Sequence, residues 1–133
     1  MNYGARPSLV CHRGARLFAP ENTFAAADAA LGRGAEIIEL DVRESADGVL
    51  YVLHDQALDR TSNGTGPIQH HSSAEIDALD AGRWFDPSFE GQRIPRFDAF
   101  LDHLRRRGAG AYVEIKWCDA KRCAAILRES GMM

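Results

Sequence analysis

Apolar residues along the chain fall into two alternating rhythms: short unbroken runs, and longer stretches with helical spacing. Ser8-Leu9-Val10-Cys11-His12 is a short apolar run closed by a polar residue, which predicts a buried parallel strand. Pro20-Glu21-Asn22-Thr23 then opens a helix, with Pro and Glu suited to its first turn and Asn or Thr to its cap. The alanine-rich stretch from Phe24 to Leu31 carries that helix on, and Gly34 stops it. Glu36-Ile37-Ile38-Glu39-Leu40-Asp41-Val42 is rich in strand formers. Strand, helix, strand in that order is the opening of a βα repeat.

The next segment departs from the repeat. Asp47-Gly48 marks a tight turn between Val42 and the run Val49-Leu50-Tyr51-Val52-Leu53, which predicts a hairpin. Asp59 to Pro67 is rich in Ser, Thr, Asn and Gly and reads as a surface loop. Ser72-Ser73-Ala74-Glu75 matches a capping box, so a short helix should run to about Leu79. Arg83 to Arg93 reads as irregular, with Trp84, Phe85 and Phe89 packing onto the body. The repeat then resumes. Pro95 precedes an amphipathic helix, Phe97 to Arg107, with Phe97, Phe100, Leu101 and Leu104 on one face. Ala111-Tyr112-Val113-Glu114-Ile115-Lys116 is a further strand, and Asp119 caps a last helix, Ala120 to Ser130, stopped by Gly131. The reading is therefore α/β, with three repeat strands, their helices and an inserted hairpin and helix.

Length and composition narrow this picture. The 133 residues suffice for one domain with a hydrophobic core, and no linker or second domain is visible. Apolar residues at 45% and charged residues at 26% fit a soluble globular protein. A net charge of -3, from 16 basic and 19 acidic residues, excludes the broad positive field that nucleic-acid binding needs. Arg105-Arg106-Arg107, just before Gly108, complements the C-terminal dipole of a helix rather than forming an anion site. Met1 to Pro7 lacks the apolar core and cleavage site of a secretory signal, and no apolar run approaches the roughly 18 residues of a membrane span. Cys11, Cys118 and Cys123 form an odd set without metal-type spacing; they read as reduced, partly buried thiols of a cytoplasmic protein.

Charges on the strands turn the question to chemistry. Glu39 and Asp41 lie two residues apart, so both side chains point to one face, and Glu114 and Lys116 repeat that spacing on a later strand. Inward charges among apolar neighbours need something to offset their desolvation. Converging carboxylates resist ionisation, and a bound cation removes that penalty. Oxygen ligation favours a hard ion, magnesium or calcium, over zinc. A Glu-x-Asp pair alone leaves two readings open, solvated strand-end charges or metal ligands. His12 and His54 both end apolar runs, and histidine passes protons near neutral pH. Arg13 offers a planar fork for phosphate oxygens and Lys116 a compact positive charge. His70, His71 and His103 lack such partners and read as surface residues. Cys11 precedes His12 on the strand and points to the opposite face, so it is no nucleophile. Asn63-Gly64-Thr65-Gly66 lacks the lysine and helix of a phosphate loop and reads as a turn.

Taken in order, these pieces resemble the glycerophosphodiester phosphodiesterase family. The resemblance rests on His12-Arg13-Gly14, Pro20-Glu21-Asn22-Thr23, Glu39-Leu40-Asp41-Val42, Leu53-His54-Asp55, Leu58, Arg60-Thr61 and Asn63-Gly64, followed by Ile94-Pro95 and Glu114-Ile115-Lys116. It runs from Leu9 to about Lys116. It implies a TIM (β/α)8 barrel, here about its first half, as one partial domain over residues 1–133 with a small insertion at about 54–93. It further implies hydrolysis of a glycerophosphodiester to glycerol 3-phosphate and an alcohol. By the same resemblance Glu39, Asp41 and Glu114 bind the divalent metal, Mg2+ or Ca2+, and His12 and His54 act as general acid and base. Arg13 and Lys116 contact the phosphate, and Asn22 and Glu21 support them.

The resemblance differs from the family in length, since such barrels run to about 250 residues. A truncated chain, association with a second chain or copy, and an isolated unstable fragment are the options this leaves. Two other readings stand beside the hydrolase. One is a phospholipase D-like phosphodiesterase, which shares the His and Glu-x-Asp arrangement; the insertion and the Asn22-Thr23 helix start favour the glycerophosphodiesterase type. The other is a non-catalytic half-barrel that binds a partner or oligomerises.

Overall fold

A computed structural model describes residues 6–133, so the reading of Met1 to Pro7 falls mostly outside the described residues. The strands are β1 (Val10–His12), β2 (Ile37–Glu44), β3 (Leu50–Val52) and β4 (Gly110–Trp117). The helices are α1 (Phe24–Leu31), α2 (Ser73–Asp77), α3 (Phe97–Arg106) and α4 (Ala120–Glu129), with short 3-10 turns at Ile68–His70 and Pro87–Phe89.

All four strands join one sheet built around β2. β4 runs parallel to β2 along one edge, from Ile37 to Arg43. The other edge is shared. β1 pairs parallel with Ile37 to Glu39, and β3 pairs antiparallel with Val42 to Glu44. The two therefore approach each other tip to tip along β2. The Arg13 N–H donates to the Glu39 carbonyl and the Leu53 N–H to the Asp41 carbonyl, each at 3.0 Å, so both ends arrive beside the same three residues.

Strand alternation gives β2 two different faces. Ile38, Leu40 and Val42 are fully buried against Ala27 and Ala30 of α1, Phe97, Phe100, Leu101 and Leu104 of α3, and Cys123 of α4. Each large side chain buried this way contributes about 1.5–3 kcal/mol, so this layer is the main source of stability. Glu39 and Asp41 occupy the opposite face. The apolar stripe expected on α3 is the one observed.

Local signals account for most boundaries. The Thr23 hydroxyl accepts from the Ala26 N–H, which makes Thr23 the cap of α1; Pro20 and Glu21 lie ahead of the helix rather than in its first turn. Ser72 and Glu75 form the expected reciprocal capping box, and Asp119 caps α4 through the Lys121 and Arg122 N–H groups. The hairpin between β2 and β3 closes as Ser45 N–H donates to the Val49 carbonyl and Gly48 N–H to the Ser45 carbonyl. Gly48 sits there at φ 82°, the left-handed position that a three-residue hairpin loop requires.

The insertion has a core of its own: Tyr51 and Leu53 pack with Leu58, Ile68, Ile76, Ala81 and Ile94. Tyr51 pairs with Arg43, so this cluster covers the same sheet face that carries Glu39 and Asp41. The surface loop at 59–67 is less exposed than its composition predicts, because Thr61 and Ser62 are buried under it. Trp84, Phe85 and Phe89 pack mainly on one another, edge to face at 5.5–5.8 Å, and Trp84 stays exposed. Phe85 and Phe89 are half-buried, whereas Trp84 does not pack onto the body as expected.

β1 also differs from expectation. It is parallel to β2, but Leu9 and Val10 are about half exposed, at 51% and 45%. Tyr112, Ile115 and Trp117 of β4 are exposed as well. These strands are the two outer edges of the sheet; α1, α3 and α4 pack on one face, and the insertion with α2 lies on the other. His103 is not a plain surface residue. It bonds Asp28 at 2.7 Å and lies 4.8 Å from the Phe24 ring, tying α3 to α1. His71 likewise bonds the Thr65 carbonyl at 2.8 Å, while His70 is exposed. Arg105 and Arg106 pair with Asp102, and Arg107 with Asp28, so the basic run is absorbed by local acids. The three cysteines are free thiols; burial and the neighbouring Cys123 push the Cys118 thiol up to about 12.

Candidate active site

The ends of β1, β2, β3 and β4 place the sequence-derived residues around one cleft. Glu39, Asp41 and Glu114 each offer an oxygen, and the three oxygens lie within 4.8 Å of one another. Asp41 and Glu114 are register partners on β2 and β4, which sets that convergence. Asp41 is fully buried and Glu39 nearly so, whereas Glu114 is exposed.

The β1–α1 loop supplies the next layer. Arg13 and Asn22 both adopt the left-handed backbone, at φ 58° and 57°, and the Asn22 N–H donates to the Arg13 carbonyl. Such backbone costs about 1–2 kcal/mol per non-glycine residue, and strained residues of this kind cluster at functional sites. Gly14 lets the loop lie against α1, since a Cβ there would stand 2.7 Å from the Ala26 carbonyl. The effect is to aim both side chains inward. Asn22 Nδ2 donates to Asp41 Oδ2 at 2.9 Å, Arg13 Nε stands 3.3 Å from the same oxygen, and the Arg13 N–H donates to Glu39 Oε2 at 3.1 Å.

The histidines flank this group. His12, the last residue of β1, brings Nε2 to 3.7 Å from Glu39 Oε2. His54 follows β3 and bonds Asp55 Oδ1 through Nδ1 at 2.7 Å, while its carbonyl accepts from Arg43 Nε. Cys11 faces the core, opposite His12, as strand alternation predicts. Lys116 donates to Glu114 at 2.6 Å and stands 3.5 Å from Asp41 Oδ1, an ion pair without hydrogen-bond geometry.

Charge balance in the cleft is incomplete. Burial, reinforced by Asp41, raises the pKa of Glu39, while the Lys116 hydrogen bond lowers that of Glu114. Burial opposes ionisation of Glu21, but Arg60 and Arg13 together outweigh it and lower its pKa. Glu39 Oε1, Asp41 Oδ1, Asn22 Oδ1 and Arg13 Nε are buried without any hydrogen-bond partner. Buried carboxylate oxygens left bare are costly, and a hard cation is the ligand their chemistry fits.

The cleft thus gathers every residue singled out in the sequence: His12, Arg13, Glu21, Asn22, Glu39, Asp41, His54, Glu114 and Lys116. It also contains two residues to which sequence reasoning gave no role, Asp55 and Arg60. A carboxylate adjacent to His54, and an arginine alone in a small-residue loop, were the available signals.

The glycerophosphoryl diester phosphodiesterase family model matches residues 12–128, spanning the whole cleft. The chain belongs to this family. A solved glycerophosphodiester phosphodiesterase from Agrobacterium tumefaciens is 64% identical, with a TM-score of 0.93 over 96% of this chain and 55% of that one. An Oleispira antarctica phosphodiesterase solved with the product sn-glycerol-3-phosphate is 32% identical, with a TM-score of 0.88 over 93% of this chain and 53% of that one. A glycerophosphodiester phosphodiesterase of Bacillus subtilis is 39% identical over 118 residues, 83% of this chain and 40% of the relative. The chain thus spans about half the length of these relatives. The fold is the family's TIM barrel in part, an open α/β sheet with β1, β2 and β4 as its parallel strands. Among the described residues no helix is long and apolar enough to cross a membrane.

Proposed function

We propose that the chain carries the catalytic portion of a glycerophosphodiester hydrolase, which cleaves its substrate to glycerol 3-phosphate and an alcohol. Residues 1–133 would form part of that domain, with about 54–93 as an insertion. The observation that carries the reading is the convergence of Glu39, Asp41 and Glu114, one oxygen from each within 4.8 Å of the others, where Glu39 Oε1 and Asp41 Oδ1 are buried without a hydrogen-bond partner. Glu39, Asp41 and Glu114 would hold Mg2+ or Ca2+, which when bound stabilises negative charge developing on phosphate oxygens. The product bound by the Oleispira relative supports the substrate class.

The chain's own residues then have defined work. Arg13 and Lys116 bind phosphate oxygens, Asn22 orients Asp41, and Glu21 orients Arg13. One of His12 and His54 takes the proton of the glycerol hydroxyl beside the phosphate. That oxygen bonds to phosphorus, and the bond from phosphorus to the alcohol oxygen breaks. The other histidine protonates the departing alcohol. Water opens the resulting cyclic phosphate with the two roles exchanged. Intramolecular attack exploits proximity, which lowers the barrier by holding the reacting groups together.

The test pairs activity with binding. H12A and H54A should each lose most hydrolysis of glycerophosphocholine while keeping calcium affinity by calorimetry, and a substrate lacking the neighbouring hydroxyl should not turn over. Turnover of that substrate at an unchanged rate would rule out the cyclic route, and wild-type protein that binds neither cation would end the metal reading.

A further inference from the structure

Arg60 belongs to the insertion, yet its guanidinium reaches acids on two different walls of the cleft. Nε and Nη2 donate to Asp55 Oδ2 and Oδ1 at 2.8 and 2.9 Å. Nη1 and Nη2 donate to Glu21 Oε2 and Oε1 at 3.0 and 2.8 Å. Each acid in turn holds one of the residues with a proposed chemical role. Asp55 Oδ1 lies 2.7 Å from His54 Nδ1, and Glu21 Oε1 accepts from Arg13 Nη1 at 3.3 Å.

An ionised carboxylate only accepts hydrogen bonds, so His54 Nδ1 must carry a hydrogen, and in the neutral ring Nε2 is then the bare nitrogen. Hydrogen bonds from Arg60 hold the Asp55 carboxyl well below the usual carboxylate range, which keeps it ionised. As a loop staple the side chain would matter little, because Arg60 itself is about half exposed and its ion pairs are screened by water. Orientation is where a planar fork differs from a simple positive charge.

We propose that Arg60 is a positioning residue: one guanidinium sets the tautomer and direction of His54 through Asp55, and the direction of Arg13 through Glu21. The kinetic consequence rests on the hydrolase reading above; the structural one does not. The insertion is thereby a working part of the cleft, because it contributes the side chain that ties the β1–α1 loop to the end of β3.

The decisive measurement is the 15N imidazole spectrum of His54 in the full chain at about pH 8, where an ordinary histidine is neutral. Wild type should show the Nδ1–H tautomer alone. R60Q should give a mixture of tautomers, and R60K an intermediate one, since an ammonium cannot serve two carboxylates as a fork does. D55N should match R60Q, and R60Q/D55N should add nothing further. In turnover of glycerophosphocholine, R60Q should lower kcat about 10- to 100-fold, the range for residues that orient ligands from behind. E21Q should act mainly on KM. Calcium affinity of R60Q should stay at the wild-type level. A single tautomer retained in R60Q, or in R60K if R60Q does not fold, overturns the proposal, as does full additivity with D55N. If wild type proves inactive while the tautomer still shifts, the hydrolase reading fails and the Arg60 link stands.

Discussion

Leu40 and Asp41 are neighbours on β2 and are buried to the same degree, yet they do opposite things. Leu40 enters a layer of buried apolar side chains. Asp41 enters a layer of acids, cations and bare oxygens in which hydrogen bonding is unfinished. Burial alone therefore says nothing about role. The stable face tolerates the unsatisfied one because the two belong to a single strand, and what one side gains offsets what the other side loses.

The contrast can be broken from the apolar side first. Leu40→Ala should destabilise the protein by about 2–5 kcal/mol through lost burial and a cavity. Urea denaturation would measure it, and the fraction that remains folded should bind calcium as before. A milder loss together with weakened calcium binding would mean that the two faces are not separable.

From the polar side, Glu39→Gln should lower calcium affinity by about 100-fold or more, beyond the usual effect of outer-sphere changes. The same change should make the metal-free protein more stable, since it removes repulsion among the three acids. The pH dependence has a definite sign. The folded-state pKa of Glu39 is raised, so the folded protein binds this proton more tightly than the unfolded chain. Its contribution is present below the ordinary glutamate value and is lost as pH rises from there through the raised value. Metal-free wild type should show that decline in a melting series, and Glu39→Gln should flatten it. The smallest effect belongs to a residue serving both sides. Thr23→Ala removes the cap of α1 and should cost about 1 kcal/mol with calcium affinity unchanged.

Most of this is legible in the sequence. Period-two alternation separated Glu39 and Asp41 from Ile38, Leu40 and Val42, and helical spacing identified the buried stripe of α3. Cap residues located the starts of α2 and α4. What escaped were effects of tertiary closure. Nothing local announces that Thr61 and Ser62 are buried, because their polarity fits a surface loop and the Ser62 hydroxyl finds its partner, the Leu58 carbonyl, within the folded insertion. Nor does local pattern reveal that Arg60 meets Glu21 across 39 positions of chain. The exposure of β1 escaped for a different reason: an apolar run predicts a strand that wants cover, and cannot say which of its faces is covered.

β1 and β3 meet end to end along one border of β2, and this makes β2 a ruler. The interval between His12 and His54 is counted off in residues of that single strand, from Glu39 to Asp41, and not through the turns that separate the two histidines in the chain. Loops between them can therefore lengthen or shorten over evolutionary time without altering the gap, whereas one residue gained or lost within β2 itself would change it at once.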